Sequence, residues 1–447
     1  MISNRLKIRI VGLVLLFCCL ATSQGRAQDN NPKGRISIRI KAEGHDRLQT
    51  PIRFELPDNR FGPDVRKALD RGPVMLSGLL EESAAELEKP GAHGPVLPVQ
   101  AERDATGSRV RLTAILDHPL PRGTEGRFQL EVNSHVSFGF PSGFVTPWSF
   151  DQSEPGALDL KHRDRSVFRY NASPVSSPNY GPIQIRDAYI HPTYSPSGAL
   201  ITGDFSSSHP HHRGFFLAYE KTKTGDLTPD FWNIHLGTGK IYSEGFDRPV
   251  VGPLTAKFST RHRWDAKDKA TGKDVTVLRE RWDIEAIAIP GAAYWLFDIT
   301  STQQAVGRPL ELLPYRYGGM AYRGPQPFVK GTLDVLTSEN LTRKTGDQKP
   351  ARWVDLTGPI AEGSDKYAGA MIADHPSNLH YPNVARIHPT SLPFFCYVPA
   401  HDKPLTIEVE QPSVFRYRVL IHDGHPDKAL NERIARDFAE PPVVVVE

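Results

Sequence analysis

The chain has 447 residues, of which 36 are glycine and 39 are proline, with 39% hydrophobic and 23% charged residues. Residues that break or turn regular structure are too frequent for long helices to dominate. The balance of apolar to charged residues excludes both a disordered tail and a multi-span membrane protein. The formal net charge of +3 is small, and the first element of the chain accounts for it.

That element reads as a signal peptide over residues 1–27. Arg5, Lys7 and Arg9 form a basic start, Ile10 to Leu20 is an apolar run, and Gly25-Arg26-Ala27 supplies small residues for cleavage. The run is shorter than the roughly 20 apolar residues of a spanning helix, and no later stretch is apolar enough to be one. A periplasmic or extracellular mature protein beginning at Gln28 is expected, with no transmembrane segment. The leader holds four basic residues and no acidic one, so its removal turns +3 into a net charge near −1. Without a basic stripe, nucleic acid is excluded as a partner. Cys18 and Cys19 leave with the leader, and Cys396 remains alone as a buried thiol with no disulfide partner.

From residue 34 to 136 the pattern predicts a small β-rich module with its own helix over Leu76 to Glu88. Within it, Arg109 to Leu116 alternates Val110, Leu112, Ala114 and Leu116 against the residues between them, as a strand does. Residues 137–182 are rich in proline and serine and read as a linker or long crossover. From 183 to 442 the strands lengthen: Val275 to Ile289, Ala293 to Thr302, Leu405 to Glu410 and Val414 to His422. The chain closes on a helix that Pro426 opens and Pro441-Pro442 stop, with Leu430, Ile434 and Phe438 on one face. The predicted fold class is all-β and mainly antiparallel: a large β-sandwich preceded by a smaller β-rich domain, with a C-terminal helix. No internal repeat of fixed period is present.

Histidines carry most of the chemical signal. Of 17, His191, His209, His211 and His212 fall within 22 residues. In an extended chain His209 and His211 point to one side and His212 to the other. Two such imidazoles suit a shared metal or substrate, so His191, His209 and His211 are candidate ligands for one divalent metal ion, with zinc, copper, nickel, manganese and calcium not distinguished. A second cluster, Asp374-His375-Pro-Ser-Asn378 with His380 and His388 behind it, could complete such a site. The same residues also fit loop-capping histidines beside prolines.

The next constellation is Tyr315-Arg316-Tyr317-Gly318-Gly319-Met320-Ala321-Tyr322-Arg323. Paired glycines allow close backbone approach, Arg323 can fork onto a carboxylate or a hydroxyl pair, and Tyr317 or Tyr322 offers a stacking face. A β-bulge with an arginine salt bridge fits equally well. Trp232 and Trp353 are candidate sugar platforms or core residues. Glu280 and Asp283, beside Arg281, read as the solvated face of a strand.

Taken in order, His191-Pro192, the segment from Thr202 to Gly214 ending His-Pro-His-His-Arg-Gly, Phe231-Trp232, Gly318-Gly319 with Arg323, Arg352-Trp353-Val354-Asp355, Asp374-His375-Pro376-Ser377-Asn378 and Tyr417-Arg418 with Asp423-Gly424 resemble a secreted bacterial family. It is abundant in planctomycetes and carries the label PmoA, methane oxygenase. The resemblance covers roughly residues 183 to 440, and the N-terminal module with Leu97-Pro98-Val99-Gln100 also looks like modules seen ahead of this domain. It implies a β-rich domain like the galactose-mutarotase supersandwich of aldose epimerases and some polysaccharide lyases, in a family often found among carbohydrate-catabolic proteins.

The leading expectation is a secreted carbohydrate-active enzyme working on a sugar, glycoside or uronate as a lyase, hydrolase or epimerase, with a small-molecule or oligosaccharide ligand. His209 and His211 would bind the metal or act as acid and base. Arg213 and Arg323 would hold the substrate, Asp374 or His375 would complete the shell or relay, and Tyr317, Tyr322, Trp232, Trp353 and Asn378 would line the cleft. A non-catalytic periplasmic sugar-binding protein is the alternative. A copper or redox protein true to the label is the third, set against a chain that offers no membrane span and a processed terminus that is not histidine.

Overall fold

The computed structural model describes residues 34–80, 96–104, 106–132, 147–176, 179, 181, 185–330, 332–390 and 392–447. The expected signal peptide lies outside the described residues. The fold is all-β and antiparallel, with a C-terminal helix.

The N-terminal module is a seven-stranded sheet in the order Thr50–Pro57, Arg109–Leu116, Val96–Arg103, Val74–Leu80, Glu125–Glu131, Arg35–Lys41 and Val443–Val446. Its core comes from strict alternation. Ile36, Ile38 and Ile40 face Val110, Leu112, Ala114 and Leu116, with Val65 and Leu69 of the short helix Pro63–Leu69 closing one side. The helix expected over Leu76 to Glu88 is corrected by the strand Val74–Leu80, while residues 81–88 lie outside the described ones. Cross-strand pairing overrides local helical preference here, because Leu76 sits opposite Val99 and Gly78 opposite Leu97.

Two nine-stranded sheets form the main sandwich. The first runs Lys349–Pro350, Val384–Ile387, Phe394–Val398, Gly318–Arg323, Phe215–Tyr219, Tyr189–Thr193, Arg165–Asn171, Ala157–His162, Trp148–Asp151. Its last three strands fall inside the stretch read from sequence as a linker. They are short and interrupted by turns at Gly156 and Arg163, both at positive φ, so proline and serine content hid them. Leu158, Leu160, Phe168 and Tyr170 alternate into the core. The sandwich therefore extends well before residue 183.

The second sheet runs Gly239–Phe246, Thr255–Lys267, Asp274–Ile287, Tyr294–Ala305, Ser413–Asp423, Tyr367–Asp374, Trp353–Pro359, Asp334–Thr337, with Val250–Val251 added at Thr255–Lys267. The two sheets share one aromatic core, in which Phe168 and Phe215 meet Phe297 at 5.1 and 6.1 Å between ring centroids. The outer face of the second sheet carries a smaller cluster of Trp353, Met371 and Leu420, covered by Ile434 of the helix Lys428–Ala439 and by Ile115 of the N-terminal module. Asp427 caps that helix by accepting from the Ala429 and Leu430 amides at 2.9 and 3.1 Å.

Candidate functional site

The segment ending His-Pro-His-His-Arg-Gly connects Tyr189–Thr193 to Phe215–Tyr219 at one end of the first sheet. Gly214 sits at φ 32 with its missing Cβ 2.0 Å from the Ile190 carbonyl oxygen, so only glycine lets the chain turn into the strand there. The Gly214 amide donates to the Gly203 carbonyl, the Gly203 amide to that of Arg323, and the Arg323 amide to that of Gly214, all at 2.8 Å. This ring of bonds fastens the histidine loop over the end of the strand Gly318–Arg323.

The chain turns between His209 and His212, whose amide donates to the His209 carbonyl at 3.1 Å. The expected split of the histidines is thereby corrected. His212 does not point away: its ring lies 5.1 Å from His209 and 4.5 Å from His211, while His209 and His211 are 5.7 Å apart. His212 is the buried floor, stacked on Phe394 at 4.4 Å and edge-on to Trp232 at 5.5 Å. Trp232 in turn lies 5.9 Å from Tyr317, a half-buried ring held by Arg386 at 3.2 Å. Two histidines complete the group: His388, half-buried and 6.3 Å from His209, and His235, exposed and 5.7 Å from His211. His235 drew no attention in the sequence, since nothing in Asn233-Ile234-His235-Leu236 marks it as near His211.

Buried cations lie near enough to act on the imidazoles. Arg323 is 1% exposed; its Nη2 donates to Ser206 Oγ at 2.6 Å, and its Nε and Nη1 have no hydrogen-bond partner among the described residues. Burial pulls its pKa down to about 10. Arg186 is treated likewise, down to about 10, first by burial and then by Arg213. Arg213 itself pairs with Asp204 and lies against the Phe205 ring, so it anchors the loop. The imidazoles feel both the burial and the cations. His211 is pulled down to about 3 by burial and then by His209 and His235, and His388 to about 4 by burial and then by Arg386. His209 is lowered by burial and Arg323, and His212 lies well below its usual value through burial and His211. All four are neutral at neutral pH, beside a buried guanidinium that pairs with no carboxylate among the described residues.

The remaining sequence candidates are engaged in contacts of their own. His191 places Nδ1 3.0 Å from Thr202 Oγ1. Asp374 accepts from Asn378 Nδ2 at 2.7 Å, the Asn383 amide at 2.9 Å and Asn383 Nδ2 at 3.0 Å, and burial raises its pKa to about 6. Asn378 also ties to Arg416 through its backbone. His375 packs on Phe438 of the C-terminal helix at 4.8 Å. Tyr322 is fully buried, donates to the Ile201 carbonyl at 2.7 Å and stacks on Phe215. Trp353 donates to Glu432 at 2.9 Å under the same helix. Of the second cluster, only His388 reaches the first. Among the described residues no group of three or more His, Cys, Asp or Glu is placed to hold a metal ion.

Residues 157–436 match a family described as a family of unknown function, DUF6807. The chain belongs to that family. The matched region begins at the strand Ala157–His162, inside the stretch first read as a linker. No curated protein matches the chain. Among solved structures it is similar to a protein in the glycosyl hydrolase family 38 from Enterococcus faecalis, with 9% identity and a TM-score of 0.40 over 94% of this chain and 48% of that one. An alpha-mannosidase from Enterococcus faecalis V583 gives 10%, 0.41, 93% and 46%. The chain thus spans about half the length of either protein, and likeness at this level says nothing about its chemistry.

Proposed function

We propose that the protein is a secreted carbohydrate-active enzyme that takes the proton next to the carboxylate of a uronate unit, leading to elimination or epimerisation. The observation that carries this reading is Arg323, a buried guanidinium whose Nε and Nη1 have no hydrogen-bond partner and which pairs with no carboxylate among the described residues, close enough to His209, His212 and His388 to lower their pKa values. A buried charge of this kind is costly unless paired, and a substrate carboxylate would supply the pairing by replacing the Ser206 hydroxyl. Neutralising that carboxylate makes the adjacent C–H more acidic.

In this reading His211 accepts the C5 proton. His209, across a separation that accommodates a sugar carbon, acts as the acid. In elimination the C5–H bonding electrons form the C4–C5 double bond, the C4–O bond breaks, and the leaving oxygen takes a proton from His209. In epimerisation the carbanion is reprotonated at C5 from the opposite face by His209. Burial first, and neighbouring positive charge after it, lowers both imidazoles; an arriving anion opposes that lowering and lifts both towards the working pH. Tyr317 and Trp232 form the adjoining wall, and Asp374, His375 and Trp353 take no part.

The test is a screen of uronate-containing oligosaccharides for the ultraviolet absorbance of an unsaturated uronide and, by chromatography, for an epimerised product. Turnover that falls at least about a hundredfold in His211→Ala supports the proposal. Uronide binding without turnover favours the sugar-binding alternative. N-terminal sequencing of the exported protein, beginning at Gln28, checks the secretion component.

A further inference from the structure

A second cavity lies between the N-terminal module and the outer face of the second nine-stranded sheet. Its volume is about 940 Å³, towards the upper end of the roughly 300–1,000 Å³ typical of ligand sites. Specific contacts fix the spacing of its walls. Gln100 Oε1 accepts from the Leu254 and Thr255 amides at 2.9 and 3.0 Å, and its Nε2 donates to Thr255 Oγ1 at 2.9 Å. Lys257 reaches Glu102 at 2.6 Å, and Arg53 bridges Glu285 and Asp298 at 3.1 and 3.3 Å.

Antiparallel register writes the floor. Lys257 lies opposite Glu285, Glu285 opposite Asp298, and Asp298 opposite Arg418. Two residues along the same face, the next row is Ser259, Asp283, Thr300 and Arg416. Among the described lining residues eight Arg or Lys meet eight Asp or Glu. A cavity balanced in this way has no net field for a polyanion. It offers donors and acceptors side by side, which suits hydroxyls that are donor and acceptor at once. Several of these groups have unused capacity. Arg418, 2% exposed, pairs with Asp298 at 2.7 and 2.9 Å yet its Nη1, like Glu285 Oε1, has no hydrogen-bond partner among the described residues. Arg416 donates to Ser377 at 2.7 Å and pairs with no carboxylate among the described residues. Phe54 and Phe438 add apolar surface for the C–H face of a sugar ring.

We propose that this cavity binds a neutral glycan segment of a few sugar units, gripped between the N-terminal module and the sandwich. It shares no lining residue with His209, His211, His388 or Arg323, so it is a second site that does not depend on the uronate reading. The experiment is calorimetric titration of the full mature protein with neutral hexasaccharides of glucan, xylan and mannan types. At least one is expected to bind at a single site. The double variant Asp283→Asn/Arg416→Ala should weaken it at least about tenfold, the scale of lost charged hydrogen bonds, and His211→Ala should leave it unchanged. Thr300→Trp, which fills the floor without removing a charge, should weaken binding too and keeps the test valid if the double variant misfolds. The proposal is overturned if none of the three glycans binds, if affinity survives in a folded variant of either kind, or if it disappears in His211→Ala.

Discussion

His211 and His388 titrate far below an ordinary imidazole, at about 3 and about 4, and that displacement has a cost at low pH. A histidine whose folded pKa is depressed stabilises the protein above the unfolded value, about 6.5. That contribution is lost as pH falls towards the folded value, because the unfolded chain then binds protons that the folded one refuses. Asp374, raised to about 6 by burial, works in the opposite sense and offsets part of the loss. Melting temperature should therefore fall as pH drops from about 6.5 towards 4, and the fall should be shallower in His211→Ala/His388→Ala; an equal slope in both proteins would contradict the assignment. A bound uronate should lift the same imidazoles, so binding near pH 6 should take up protons, and calorimetry in buffers of different ionisation enthalpy reads that uptake directly. Residue types alone singled out the histidine pair, Arg323 and Tyr317, and the fold gathers them in the candidate site. Orientation was not legible, because the chain turns at Pro210 where the sequence suggested an extended run. The arrival of His235 and His388 depends on contacts remote in sequence.

At the scale of single elements, the C-terminal helix shows how one charge can bind two parts together. Asp437, 3% exposed, accepts from Arg47 Nη1 at 2.9 Å and Thr50 Oγ1 at 2.8 Å and meets His45 at 3.0 Å. Asp437→Ala would leave Arg47, 1% exposed, as a buried charge without its carboxylate, and a loss of about 3 kcal/mol is expected in urea unfolding. Removing the cap with Asp427→Ala should cost only about 1 kcal/mol, so the two variants rank the anchor above the cap. The long strands were readable from periodicity, and this helix from periodicity together with the prolines that flank it. Glu280 was not: grouped with Asp283 as solvated, it is 3% exposed and accepts from Trp264, Trp282, Ser301 and Gln303, while Arg281 and Asp283 face outward. Strand alternation separates residue 280 from 281 and 283, but a glutamate at an inward position conflicts with the usual rule that charge stays outside. Only the ring of donors around it resolves the conflict.

Across the whole molecule, the last described strand returns to the first. Val443–Val446 pairs antiparallel with Arg35–Lys41 and covers an edge of the N-terminal sheet. Deleting residues 443–447 exposes that edge, and exposed edges recruit other strands. Sedimentation velocity should show larger species for the truncated protein than for the full chain, and identical profiles would remove the protective role. The sequence divided this body at residue 183, whereas paired strands extend it back to Trp148, because short strands between turns carry too little periodicity to be recognised singly. The central claim, proton abstraction beside a carboxylate held at Arg323, is tested most directly by incubating uronate oligosaccharides with the protein in D₂O and locating deuterium by mass spectrometry. The account predicts deuterium at C5 of recovered or epimerised uronate, or loss of the C5 proton in an unsaturated product, with neither change in His211→Ala. Unchanged uronides alongside cleavage of neutral glycosides, or C5 chemistry that persists undiminished in His211→Ala, would contradict it.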